Sequence, residues 1–150
     1  MTKVPWRQPP YFDRFANRVK YLNECKKIDP CARFIKPRGR RGDGFGIAVQ
    51  MKPVGVPHRH VEVHFTNWRP DSPSVYVDGP DDSPHRYPGG ALCMWYPYDP
   101  PEARWRHNDG PGGLLGHVAA HLIKEEWFRR TGDWPGEVAP HNVKESQANE

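Results

Sequence analysis

Cysteine is scarce in this 150-residue chain: Cys25, Cys31 and Cys93 are the only three. So small and odd a number excludes the evenly paired disulfide framework of a small secreted scaffold. Apolar residues are also few, at 36%. No apolar run approaches the roughly 20 residues that span a bilayer. The opening Met1-Thr2-Lys3-Val4-Pro5-Trp6 has no apolar signal-peptide core. The expectation is a cytoplasmic location with no membrane partner. Nucleic-acid motifs are missing as well: no RNP-like aromatic strand, zinc-finger spacing or helix-turn-helix pattern accompanies the net charge of +4. Much of that charge is local, in Lys36, Arg38, Arg40 and Arg41. A solvated hairpin loop is the preferred reading of 36–41, over a patch for nucleic acid or an acidic protein.

Turn formers and aromatics are plentiful. The chain has 18 Pro and 14 Gly, but also six each of Trp, Tyr and Phe. Those large side chains supply a core, so the composition indicates one globular domain rather than disorder. Its expected extent is 11–141, after an extended Pro-rich arm over 1–10 and before a polar tail over 142–150. Phe12, Phe15, Val19 and Leu22 step by three or four, which predicts an amphipathic helix from Tyr11 to Ile28. Asp29-Pro30 ends it. Strands are predicted at Ala32–Lys36, Phe45–Met51, Val61–Phe65 and Ser74–Val77, with a Gly-rich turn over Arg38–Gly44. Short links make these a four-stranded antiparallel meander. The segment Asp78 to Pro111 has little regular pattern, and irregular stretches of that length are usually functional. Leu115, Val118, Ala119, Leu122, Ile123 and Trp127 then form a helical stripe over Gly112–Arg130, with Gly132 as its cap. The layout is α+β: N-terminal helix, four-stranded meander, irregular loop, C-terminal helix.

The irregular segment contains Ser83-Pro84-His85-Arg86-Tyr87-Pro88-Gly89-Gly90-Ala91-Leu92-Cys93. It resembles the active-site segment of ubiquitin-conjugating (UBC) enzymes, in which His-Pro-Asn precedes an aromatic, a Gly, an aliphatic residue and the catalytic Cys. Pro84, Tyr87, Gly90, Leu92 and Cys93 match without a gap. Ser83 stands in place of the family's His, and His85 in place of its Asn. Upstream, Trp68-Arg69-Pro70-Asp71-Ser72-Pro73 resembles the family's proline-rich turn into the fourth strand. Downstream, Trp105 falls where a Trp commonly follows the Cys, across a longer gap. The run from His85 to Pro97, with Thr131-Gly132-Asp133-Trp134-Pro135-Gly136 and His141, is closer to the bacterial branch found in CBASS anti-phage operons. That resemblance implies a UBC-like fold in its stand-alone form. It implies Cys93 as the catalytic thiol, and a protein acyl donor ending in glycine: a cGAS-like nucleotidyltransferase or a ubiquitin-like protein. A separate activating enzyme would spend the ATP, and no cofactor or metal is implied.

The residue types suit that chemistry. A thiolate is both a good nucleophile and a good leaving group, so cysteine can carry an activated carboxyl as a thioester. Amine attack on the thioester builds negative charge on the carbonyl oxygen, which a nearby donor stabilises. His85 could be that donor, a base toward the amine, or a residue that pins the loop. Tyr87 and Trp105 are read as packing the loop onto the sheet, Asp99 as a turn residue, and Cys25 and Cys31 as packing cysteines. Three rivals stand. One is a non-catalytic binding module of the same fold. Another is a metal enzyme built on His58, His60 and His64 or on His117 and His121; the latter two lack the intervening Glu of a metalloprotease helix. The last is a thiol hydrolase pairing Cys93 with a distant histidine.

Overall fold

The computed structural model describes residues 10–38, 44–95 and 99–136. The expected arm before Pro10, the tail from 142, His141, Arg40, Arg41 and most of the predicted Arg38–Gly44 turn lie outside the described residues.

The sheet is an antiparallel meander in the order β1 (Arg33–Ile35), β2 (Phe45–Met51), β3 (Arg59–Phe65) and β4 (Ser74–Val77). Register follows the apolar alternation: Ile47 faces Val63, Val49 faces Val61, and Val63 in turn faces Val75. A one-residue slip would turn all of these outward, so burial itself fixes the pairing. On the other face of β2, a Cβ on Gly46 would stand 2.8 Å from Ile35 and 3.0 Å from the His64 ring. Glycine is therefore required there for His64 to cover the strand.

Two helices complete the α+β fold, α1 (Phe15–Cys25) and α2 (Gly110–Thr131). Among the described residues no helix is long and apolar enough to cross a membrane. The core is dominated by rings: Phe12 meets Tyr21 edge-on at 4.9 Å, and Phe45 stacks on Phe65 at 4.9 Å. Trp105 and the α2 residues Leu114, Leu115, Val118 and Leu122 close it. Such aromatic pairs, edge-to-face or offset-stacked, add to their area burial.

Both helices differ from the sequence expectation in the face they bury. Tyr11–Asp13 is a separate turn of 3-10 helix, and Arg14 is extended (ψ 115) before α1 begins. This break rotates the helix, so Tyr21 and Cys25 are buried while Phe15 is 68% exposed. In α2 the stripe drifts the other way after Leu122. Ile123 and Trp127 are exposed, and His121 and Glu125 take the inward positions. Pro111 opens α2 where its missing N–H costs nothing. Gly132, at φ 81, caps it with a hydrogen bond from its N–H to the Phe128 carbonyl. Cys25 is buried as a packing residue would be, whereas Cys31 is exposed, contrary to expectation.

Candidate active site around Cys93

The irregular segment is organised by a small hairpin. Pro88 suits the second position of a tight turn, and Gly90 supplies the positive φ (93) that a three-residue hairpin loop needs. Tyr87 N–H then donates to the Ala91 carbonyl at 2.9 Å, and Gly90 N–H to that of Tyr87 at 2.8 Å. Arg86 is bridged to Leu92. The next pair is therefore His85 and Cys93, whose N–H donates to the His85 carbonyl at 3.0 Å. Leu92 N–H donates to Val75, which ties the hairpin to β4. The Ser83 hydroxyl accepts the His85 N–H at 3.3 Å. In this way the backbone sets two sequence-predicted residues, His85 and Cys93, side by side.

Cys93 is 7% exposed, and burial pushes its thiol pKa up. A hydrogen bond with the Tyr87 hydroxyl opposes that shift by favouring the thiolate. Burial and the same bond push Tyr87 up to about 12. Tyr87 therefore acts on the thiol's ionisation rather than serving only as packing. The effect is testable on a Cys31→Ser background, where the exposed thiol no longer competes. Tyr87→Phe should slow iodoacetamide alkylation of Cys93 at fixed pH several-fold, up to about tenfold per pKa unit. Its alkylation profile should also move to higher pH. Unchanged or faster alkylation at Cys93, mapped by peptide mass, would rule out this role. Cys25 is pushed further, to about 12, by burial in α1.

Beneath the hairpin lies a buried charge cluster that sequence reasoning missed. Arg86 forks onto Glu125, Nε donating at 2.7 Å and Nη2 at 2.9 Å, while Nη1 donates to the Gly90 carbonyl at 3.0 Å. The carboxylate of Glu125 is fully buried and also meets Arg129 at 3.0 Å and His121 at 3.2 Å. Burial opposes its ionisation, but His121 and Arg86 outweigh burial and hold it at about 2. The fork ties the Tyr87–Gly90 turn to α2. The available signal was positional: Glu125 shares the inward face of Val118 and Leu122. His85 is 4% exposed, and its ring lies 4.1 Å from that of Trp134, a second contact that was not foreseen.

The remaining candidates fall elsewhere. Trp105 is buried and donates from Nε1 to the Gly110 carbonyl at 2.7 Å, a packing role. Asp71, in the turn before β4, accepts from His107 N–H at 2.8 Å and ring Nδ1 at 2.6 Å, joining that turn to the start of α2. Asp99 is half-buried in the stretch leading to the 3-10 turn Pro101–Ala103. The exposed Arg38 pairs with Glu62 at 2.9 Å and lies over the Tyr76 ring, so this member of the basic segment covers the outer sheet face. The histidines disperse. His58 is exposed, His60 meets Gln50, and His64 accepts the Arg38 N–H at Nδ1. His117 packs near Trp95 while His121 faces Glu125. Among the described residues no three metal-binding side chains converge. Searches for a matching family model, curated protein or solved structure find none.

Proposed function

We propose that the chain is a ubiquitin-conjugating-like acyl carrier with a UBC-type fold and Cys93 as its thiol. The observation that carries this reading is the hairpin that sets His85 opposite Cys93. The order of helix, meander, loop and helix supports it. In the first step the Cys93 sulfur attacks the thioester carbonyl of an activated donor. A new C–S bond forms, the donor's C–S bond breaks, and the thiol proton passes to the departing thiolate. In the second, a lysine amine attacks the Cys93 thioester. The C–N bond forms, Cys93 leaves as thiolate, and it takes up the proton that the amine gives up. His85 is assigned to the oxyanion of the second step. The donor is a protein ending in glycine, by resemblance a cGAS-like nucleotidyltransferase in anti-phage defence. A separate activating enzyme spends the ATP.

The near-complete burial of Cys93 favours a second reading, a binding module of the same fold that needs no free sulfur. Intact mass under non-reducing conditions separates the two. The Cys31→Ser chain is mixed with a synthetic peptide thioester ending in Gly-Gly, and also co-expressed with its genomic neighbours. Conjugation requires an adduct that reductant removes and Cys93→Ala abolishes. No adduct under either condition leaves the binding module.

A further inference from the structure

The conjugation chemistry leaves Trp134 without a task, yet its ring packs directly on that of His85. The left-handed turn at Gly132 reverses the chain at the end of α2. Asp133 N–H donates to the Thr131 hydroxyl at 3.2 Å and steadies the reversal. The indole is thereby laid on His85, with ring centroids 4.1 Å apart and planes at 50°. It also reaches His121 at 5.3 Å and Phe128 at 6.5 Å. Trp134 is wedged between a side chain of the hairpin and two of α2.

We propose that Trp134 is a positioning residue, holding the His85 imidazole in the orientation that amine discharge from Cys93 requires. This rests on the conjugating-enzyme reading and extends it to a residue outside the hairpin. The hairpin bonds and the Ser83 hydroxyl hold the backbone of His85. A flat ring packed at 4.1 Å blocks rotation of the imidazole through the space that the indole fills. An oxyanion donor works only when it is already aimed, because reorientation during the reaction raises the barrier. Trp134 acts through His85 and not on the acyl group.

The test uses the full chain on the Cys31→Ser background. Cys93 is loaded from the Gly-Gly peptide thioester and discharged to free L-lysine. Trp134→Ala should slow discharge about tenfold or more, within the range that a small misplacement brings, and change loading by less than about twofold. Trp134→Phe, which keeps a ring, should recover most of the rate. On a His85→Ala background, Trp134→Ala should slow discharge no further, since the two act as one unit. Equal slowing on both backgrounds, or equal loss of loading and discharge, would overturn the proposal.

A readout independent of turnover separates its failure from that of the reaction. The His85 ring protons should carry a ring-current shift that Trp134→Ala removes and Trp134→Phe reduces. Unshifted resonances overturn the positioning even if a thioester forms. Shifted resonances with no thioester sink the conjugating reading, and the role in discharge with it.

Discussion

Glu125→Ala is expected to lower folding stability by about 3–5 kcal/mol, the usual result of removing one partner from a buried ion pair. The substitution leaves the Arg86 guanidinium, only 6% exposed, without its bidentate partner, and His121 without its carboxylate. The loss should appear as a lower denaturant midpoint at unchanged slope. Arg86→Met with Glu125→Leu should keep most of the stability, because an apolar pair of similar volume avoids the desolvation that the ions suffer. A loss under about 1 kcal/mol for Glu125→Ala would refute the view that this pair anchors the hairpin.

The same carboxylate makes a pH prediction whose sign is set. Glu125 is held at about 2 in the fold, below its ordinary value of about 4.3. A depressed carboxyl contributes stability that is complete above the unfolded value. It is lost as pH falls from about 4.3 through about 2. The acid limb of the wild-type stability curve should be steeper in that window than the limb of Glu125→Gln. Coincident limbs would show that the cluster does not depend on the charge.

His85→Ala should slow discharge of the Cys93 thioester to lysine by about 10²–10³, the range for loss of one oxyanion donor. Loading should suffer less. Loading exchanges one thioester for another by attack of a strong sulfur nucleophile, whereas the weaker amine must climb further and build more charge on oxygen. His85→Asn restores the residue that the UBC resemblance places here, and should recover discharge. Equal loss of both steps in His85→Ala, with no recovery by Asn, would mark His85 as structural. Its carbonyl bond to Cys93 N–H would then be the part it plays beside the thiol.

By itself the sequence determined what short-range signals encode. The strands Phe45–Met51 and Ser74–Val77 are bounded as expected, because alternation and flanking turn residues act within a few positions. The element order and the cap at Gly132 follow from equally local chemistry. The tertiary structure alone decided which faces turn inward. Extension at Arg14 took Phe15 out of the core, and the drift of α2 put Glu125 in place of Trp127. It also decided what meets Cys93 and His85. Arg86 and Glu125 are 39 residues apart, and Trp134 reaches His85 only after the whole of α2 and the turn at Gly132. Local patterns specify each element's period but not its rotation about its own axis. That rotation is set by packing against partners distant in the chain, and the surroundings of the thiol depend on it.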